Sequence, residues 1–171
     1  MRRIRIVVAY DGTNYCGWQI QPNGITIEEI LNRQISKLTG EDIRIIGASR
    51  TDSGVHALGN VAVFDTESRI PGDRFAYALN QKMPEDIVIV RSDEVQIDWH
   101  PRYQNEISKT YEYHIYNAKV RNPLKNRYST FVSFDLDVEK MRQGAKYILG
   151  EHDFASFCNC LLYTSDAADE A

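Results

Sequence analysis

The order of hydrophobic periods along the first half of the chain constrains its fold more than any other feature. Short stretches rich in β-branched side chains predict four strands, at residues 4–10, 43–48, 61–66 and 87–91. A helical period follows the first strand and another follows the third. The order strand, helix, strand, strand, helix, strand is typical of a ferredoxin-like or RRM-like βαββαβ unit. The sequence therefore predicts the α+β class, with an antiparallel sheet that carries both helices on one face.

Both predicted helices have sequence signals at their ends. Thr26 and Glu29 have the capping-box spacing, in which each side chain can bind a free backbone N–H group at the start of a helix. Gly40 suits the left-handed position that ends a helix. Pro71 favours the first turn of the second helix, and Pro84 is expected to end it.

After about residue 105 the pattern predicts the start of a second α+β half that extends the same sheet. Strands are predicted at 109–117 and 128–134, and a helix at 137–149. Tyr111, Tyr113 and Ile115 share one face of the first of these strands, and we expect two of the three to pack in a core.

The chain is thus predicted to contain three regions. Residues 1–105 form the N-terminal βαββαβ domain, and residues 106–158 begin the second half, which is expected to be incomplete. Residues 159–171 fit no cap, strand or core pattern, and we interpret them as a non-native tail that resembles translated adapter sequence. Because an unfinished sheet exposes an edge and an apolar face, the chain by itself is expected to aggregate or to be inactive.

Composition excludes several classes of protein. Hydrophobic residues make up 43% of the chain and charged residues 26%, as in soluble globular domains. No apolar run approaches the roughly 20 residues that span a membrane, and the apolar stretch near the N-terminus is too short for a secretory signal. A cytoplasmic protein without a membrane partner is predicted. Three cysteines without a Cys-x-x-Cys pair argue against both a disulfide framework and a zinc site.

Charge is distributed unevenly along the chain. The net charge of −4 argues mildly against a nucleic-acid partner. Residues 102–130 nevertheless carry six basic side chains against two acidic ones, a local charge of +4. Such a stretch permits RNA binding without pointing to it, because a solvated surface is the commoner explanation.

Three loops concentrate polar and glycine residues at or after strand ends, at 10–19, 47–56 and 100–102. In the second loop, Arg50 and Asp52 are two residues apart. An arginine beside an aspartate favours the ionised carboxylate, which a nucleophile requires. The same residues also suit an Asx turn, in which the aspartate binds the local backbone, and spacing alone favours that turn.

Other residues of these loops receive structural interpretations. Gly12 and Gly17 are interpreted as turn glycines, because the first loop matches no phosphate-binding pattern. His56 is interpreted as a packed or surface histidine. The tyrosines near the loops could stack on an unpaired base, although most strand tyrosines are core or sheet-surface residues.

Nine motifs follow one another in a recognisable order. The most specific is Gly-Ala-Ser-Arg-Thr-Asp-Ser-Gly-Val-His at 47–56. The others lie at 10–13, 17–19, 21–23, 78–80, 84–88, 100–102, 109–113 and 150–154. Together they resemble the TruA family of tRNA pseudouridine synthases, and the likeness covers residues 4–158.

The resemblance implies an isomerase that converts uridine to pseudouridine at positions 38–40 of the anticodon stem-loop of tRNA, without a cofactor or a metal. Asp52 would be the catalytic nucleophile. Arg50 would pair with Asp52 and help to evict the base from the helix, because the glycosidic bond is otherwise inaccessible. Tyr111 would stack on the uracil and assist in removing the proton from C5. The complete parent protein is expected to be a homodimer.

A non-catalytic RNA-binding module on the same βαββαβ platform is the alternative. The basic stretch 102–130 and the tyrosines favour it. The loop that contains Arg50 and Asp52 argues against it, because a protein that only binds RNA would not need that pair.

Overall fold

The computed structural model describes residues 1–103 and 108–157. The chain divides into two compact units, Met1–Tyr111 and a second unit that begins at Glu112. The region 159–171, interpreted above as a non-native tail, lies outside the described residues.

The first unit consists of a four-stranded antiparallel sheet and two helices. The strand order is β2-β3-β1-β4, so β1 lies in the interior of the sheet between β3 and β4. The elements in chain order are β1 (Arg2–Tyr10), α1 (Ile27–Thr39), β2 (Ile46–Gly47), β3 (Ala57–Thr66), α2 (Phe75–Asn80) and β4 (Ile87–Val95). The α+β class and the antiparallel sheet are confirmed.

The capping signals of α1 are confirmed. The side chain of Thr26 accepts a hydrogen bond from the backbone N–H of Glu29 at 3.3 Å. Gly40 ends the helix with φ of 77°, in the left-handed region.

The second strand is shorter than predicted, since β2 covers Ile46–Gly47 rather than 43–48. The backbone N–H of Ile43 donates to the hydroxyl of Ser36, and that of Ile45 donates to the side-chain oxygen of Asn32. Side chains of α1 thus take the hydrogen bonds that a neighbouring strand would otherwise supply.

The second helix also ends earlier than Pro84. α2 stops at Asn80, whose side chain donates to the carbonyl of Ile89 at 2.9 Å and accepts from the N–H of Ile89 at 2.8 Å. The end of α2 is therefore attached to β4 by two hydrogen bonds.

A hydrophobic cluster covers one face of the sheet. Alternate residues of β1 point into it, as the period of a half-buried strand requires. Both helices contribute apolar side chains to the same cluster, so they pack on this face. The fully buried members include Ile4, Ile6, Val8, Ile27, Leu31, Ile35 and Phe75.

The opposite face of the sheet carries paired charges. Arg3 binds both carboxylate oxygens of Asp65 at 2.7 Å, and Arg5 binds those of Asp93 at 3.1 and 2.6 Å. The guanidinium of Arg5 lies 5.3 Å from the ring centroid of Trp99, whose carbonyl accepts a hydrogen bond from Arg3 at 2.9 Å. These contacts attach the segment after β4 to this face.

The second unit contains β5 (Ile115–Asn117), β6 (Thr130–Val132) and α3 (Val138–Ala145). Among the described residues, β5 and β6 pair in parallel and form a two-stranded sheet. The second half that extends the first sheet stays a prediction. The predicted strand 109–117 is a strand only at its last three residues. The helix predicted at 137–149 ends at Ala145 and is followed by a 3-10 turn, Lys146–Ile148.

No described residue from 112 to 157 is buried. The expectation of core packing for two of three residues is wrong, because Tyr111, Tyr113 and Ile115 are 74%, 76% and 40% exposed. No helix among the described residues is both long enough and apolar enough to cross a membrane.

Candidate active site

The loop between β2 and β3 carries Arg50 and Asp52. The backbone N–H of Val55 donates to the carbonyl of Asp52 at 3.2 Å, and Gly54 has φ of 78° at the third position of this turn. That conformation is typical of a type II turn, whose third residue favours glycine. The backbone therefore closes the turn. Since the carboxylate of Asp52 makes no hydrogen bond to any described residue, the Asx-turn interpretation is wrong.

In the part of the chain that the structure describes, the side chains of Arg50 and Asp52 make no hydrogen bond and no ion pair. Asp52 is exposed and Arg50 is half-buried. No ion pair joins them or engages either with another described residue. Their expected pairing stays a prediction. Both charges remain available to a ligand.

The loop at residues 10–19 packs against the 47–56 loop and contacts its backbone. The N–H of Trp18 donates to the carbonyl of Thr51 at 2.9 Å, and the hydroxyl of Ser53 donates to the carbonyl of Tyr15 at 3.2 Å. Gly17 has φ of 80°, and a Cβ at this position would lie 2.6 Å from the carbonyl oxygen of Thr51. Gly17 is thus a turn glycine, as predicted, and it also permits the close approach of the two loops.

The 10–19 loop is in turn attached to Asp86, the residue directly before β4. The backbone N–H of Asp11 donates to the carbonyl of Asp86 at 2.9 Å. The hydroxyl of Tyr15 donates to the Asp86 carboxylate at 2.5 Å, and the amide of Asn14 donates to it at 3.2 Å. Burial, followed by this hydrogen bond, raises the pKa of Tyr15 well above its ordinary value. Tyr15 therefore remains a hydrogen-bond donor.

A buried polar group lies beneath the loop that carries Asp52. The side chain of Asn60, in β3, accepts from the N–H of Ser49 at 3.3 Å and donates to the carbonyl of Ser49 at 3.0 Å. It also donates to the hydroxyl of Tyr10 at 3.4 Å. The hydroxyls of Tyr10 and Thr51 are 2.7 Å apart. Ser49 and Thr51, the two neighbours of Arg50, are therefore attached to the sheet through Asn60 and Tyr10.

Tyr111 lies near this group. Burial raises the pKa of Tyr10, hydrogen bonds with Thr51 and Asn60 partly oppose that shift, and Coulombic interaction with Tyr111 adds to it. Tyr111 is therefore close enough to Tyr10 for an electrostatic interaction, and Tyr10 itself contacts the Arg50–Asp52 loop through Thr51.

The third polar loop, at residues 100–102, follows β4 and contacts the start of the 47–56 loop. The side chain of Arg102 donates through Nε to the carbonyl of Gly47 at 3.0 Å, where the 47–56 loop begins. Its backbone N–H donates to Nδ1 of His100 at 3.2 Å, and the His100 ring stacks on Tyr103 with 4.5 Å between centroids. Burial, together with the charges of Arg102 and Arg3, lowers the pKa of His100.

His56 links the first two loops, in agreement with its interpretation as a packed histidine. Its Nδ1 lies 3.2 Å from the backbone nitrogen of Gly12 and 3.0 Å from the carboxylate of Asp11. Among residues 1–103 and 108–157, no three His, Cys, Asp or Glu side chains are grouped so as to hold a metal ion.

Comparisons with known proteins identify the group to which the chain is related. A family described as tRNA pseudouridine synthase matches residues 6–104. The chain belongs to the tRNA pseudouridine synthase family. Arg50 and Asp52 lie within the matched residues, and Tyr111 lies beyond them.

Curated relatives support this family membership. The chain is 52% identical to tRNA pseudouridine synthase A of Acetivibrio thermocellus over 157 residues, which cover 92% of this chain and 64% of that protein. It is 50% identical to tRNA pseudouridine synthase A 2 of Clostridium perfringens over the same shares of the two chains. With the enzyme of Brevibacillus brevis the identity is 44%, over 97% of this chain and 68% of the relative. The chain therefore spans about two thirds of the length of these pseudouridine synthases.

Sequence reasoning overlooked the hydrogen-bonded group formed by Tyr10, Thr51 and Asn60. The predicted third strand begins at residue 61, so Asn60 lies just before it, although the observed β3 includes Asn60. Its partners lie far away along the chain, so the sequence alone does not indicate them.

Proposed function

We propose that the complete protein to which this chain corresponds is a tRNA pseudouridine synthase, which isomerises uridine at positions 38–40 of the anticodon stem-loop. Asp52 is the nucleophile in this proposal. The observation that supports it is the uncommitted carboxylate of Asp52 at the exposed end of a loop that other loops hold in place. A carboxylate used only for structure would be expected to bind the turn that contains it.

The proposed reaction leaves the composition of the nucleoside unchanged. The Asp52 carboxylate attacks C1′ of the ribose, and the bond from C1′ to N1 of uracil breaks, so that the base leaves with the electron pair. The base turns, and C5 attacks C1′ and displaces the carboxylate. Loss of the proton from C5 and gain of a proton at N1 complete the isomerisation.

Two further residues have roles in this proposal. Arg50 stabilises the Asp52 carboxylate and helps to evict the target nucleotide, because the reacting bond is inaccessible inside a helix. Tyr111 stacks on the detached uracil and assists in removing the proton from C5. Its high exposure of 74% leaves its ring accessible to a base.

Exchange at C5 provides the test. A tRNA labelled with tritium at C5 of uridine loses tritium to water as pseudouridine forms. We expect an Asp52→Asn variant of the full-length enzyme to release none, while its affinity for tRNA stays close to that of the wild type. The amide has nearly the shape of the carboxylate but lacks its charge, and it is a much poorer nucleophile.

Asp73→Asn is the matched control. Asp73 is an exposed aspartate near the start of α2, and among the described residues its side chain makes only a long ion pair with Arg74 at 3.7 Å. The control variant should release tritium at the wild-type rate. Activity in the Asp52→Asn variant would contradict the proposed mechanism. Wild-type enzyme that binds tRNA and releases no tritium would favour the non-catalytic RNA-binding module.

The architecture and cellular setting belong to the same proposal. The first domain, residues 1–105, has the ferredoxin-like βαββαβ arrangement, and residues 106–158 begin a second α+β half. The observed strand order and the antiparallel pairing support this arrangement. The full-length enzyme acts in the cytoplasm as a homodimer on tRNA, and it needs no metal or cofactor, since the carboxylate and the leaving base supply the chemistry.

A further inference from the structure

The buried side chain of Asn60 has a fixed orientation. The backbone N–H of Ser49 can only donate, so its partner must be the side-chain oxygen of Asn60. The side-chain nitrogen of Asn60 therefore faces the carbonyl of Ser49 and the hydroxyl of Tyr10. With Asn60 8% exposed, water cannot readily replace these partners.

The hydroxyl of Tyr10 connects Asn60 to the loop that carries Asp52. Tyr10 is 4% exposed and accepts a hydrogen bond from Asn60. Its hydroxyl lies 2.7 Å from that of Thr51, and either hydroxyl can donate the hydrogen bond between them. The hydrogen bonds thus run from β3 through β1 to the residue between Arg50 and Asp52.

An irregularity of the sheet places Tyr10 for this contact. The register between β1 and β3 shifts between Val8 and Tyr10, so that Val8 pairs with Asn60 whereas Tyr10 pairs with Ala57. Such bulges change the direction of a side chain at the end of a strand. The shift allows the Tyr10 hydroxyl to reach both Asn60 and Thr51.

We propose that Asn60, Tyr10 and Thr51 form a positioning relay, which fixes the Arg50–Asp52 loop in its reactive conformation. The relay holds Ser49 and Thr51, the two neighbours of Arg50, and Thr51 directly precedes Asp52. None of the three is assigned contact with the reacting atoms. This inference rests on the proposed function only for its effect on catalysis, because its effect on loop conformation is independent of the reaction.

The first test is a double-mutant cycle in the full-length enzyme, with tritium release as the readout. Tyr10→Phe removes the hydroxyl and keeps the ring, and Thr51→Val removes the hydroxyl with little change in shape. Each variant should lower kcat by about 10- to 100-fold, because a small displacement of a reacting group has an effect of that size. The KM for tRNA should change by less than about threefold, since binding contacts are retained.

The double variant distinguishes a relay from two separate structural roles. If both hydroxyls act through one hydrogen bond, Tyr10→Phe together with Thr51→Val should lower kcat no further than either change alone. Thr51→Ser keeps the hydroxyl and should restore most of kcat. Tyr77→Phe is the control, because Tyr77 is a 75% exposed tyrosine of α2 whose hydroxyl has no recorded partner among the described residues.

The second test measures the loop without any reaction. In the Tyr10→Phe variant, the amides of Ser49 and Trp18 should exchange with solvent roughly 2- to 10-fold faster, as expected for the loss of one hydrogen bond. The Ser49 amide donates to the side chain of Asn60, and the Trp18 amide donates to the carbonyl of Thr51. Exchange in the Tyr77→Phe control should be unchanged.

The outcomes separate the two proposals. Additive losses of kcat, a fully active Thr51→Val variant, or unchanged amide exchange in Tyr10→Phe would each overturn the relay. Wild-type enzyme that makes no pseudouridine would overturn the proposed function alone, because faster exchange in Tyr10→Phe would still support the relay. If Tyr10→Phe fails to fold, Thr51→Val supplies both readouts from the half-buried end of the relay.

Discussion

Two glycines of the first unit have nearly the same positive φ in different surroundings. Gly17 and Gly40 have φ of 80° and 77°. A Cβ at Gly17 would lie 2.6 Å from the carbonyl oxygen of Thr51, whereas a Cβ at Gly40 would meet nothing within 4 Å. The pair therefore separates the cost of a left-handed residue from the cost of steric overlap.

We predict that Gly17→Ala lowers the free energy of unfolding more than Gly40→Ala does. The left-handed conformation costs a residue with a Cβ about 1–2 kcal/mol at either position. Overlap with a backbone oxygen at Gly17 should add about 1–3 kcal/mol, the usual cost of forcing atoms into a filled space. Urea unfolding of both variants measures the difference. Equal losses would mean that the two loops can move apart without cost.

Single residues were predictable where their signals are local. Thr26 and Gly40 act on backbone groups within four residues of themselves, so their roles follow from spacing. Tyr10 and Thr51 are 41 positions apart, and Tyr10 and Asn60 are 50 apart. Contacts over such separations depend on the register of the sheet, which local spacing does not determine. The assignments of Asp52, Arg50 and Tyr111 came from the order of motifs rather than from spacing.

At the scale of elements, the order of strands and helices was predictable and several of their ends were not. Hydrophobic period identified each element of the first unit. The extent of β2 is limited by Asn32 and Ser36 of α1, and α2 ends at Asn80, whose side chain binds the backbone of β4. These contacts exist only once the elements have packed together.

The segment from Trp99 to Tyr103 is an element without regular secondary structure, and we predict that it loosens below neutral pH. Nδ1 of His100 accepts the backbone N–H of Arg102, which requires this nitrogen to be unprotonated. Burial and the nearby positive charges of Arg102 and Arg3 lower the pKa of His100 from its ordinary value of 6.5. Protonation would break the hydrogen bond and place a third positive charge beside two others.

The direction of the effect on stability follows from linkage. A lowered pKa means that the unfolded chain binds the proton more readily than the folded chain does, so the contribution of His100 is complete above pH 6.5 and falls as the pH drops below it. His100→Asn keeps an oxygen that can accept from Arg102 and does not titrate in this range. Urea unfolding at pH 7.5 and 5.0 should show a smaller loss of stability for the variant. An equal loss of stability in the wild type and the variant would contradict this role of His100.

At the scale of the whole chain, the two units differ in how well they bury apolar side chains. The first unit closes a core between one sheet face and two helices. In the second unit, large apolar residues remain mostly exposed among the described residues, including Leu124 at 88%, Tyr147 at 82% and Phe157 at 80%. Many large apolar side chains exposed to water favour association.

We therefore predict that the 171-residue chain self-associates. Its mass by light scattering after size-exclusion chromatography should exceed 19.7 kDa and rise with concentration. A chain that ends at Tyr111 is the control, because it retains the unit with a closed core. The shorter chain should remain closer to its monomer mass. A monodisperse monomer of the longer chain would show that the exposed side chains do not drive association.

The charged face of the first sheet has a practical consequence for spectroscopy. The chain contains two tryptophans, and the sheet separates them. Trp18 is 2% exposed in the core, with its ring centroid 5.9 Å from that of Tyr10, whereas Trp99 lies over Arg5 on the other face. Two single-tryptophan variants would therefore give fluorescence signals that report separately on the relay beneath the Asp52 loop and on the segment that carries His100.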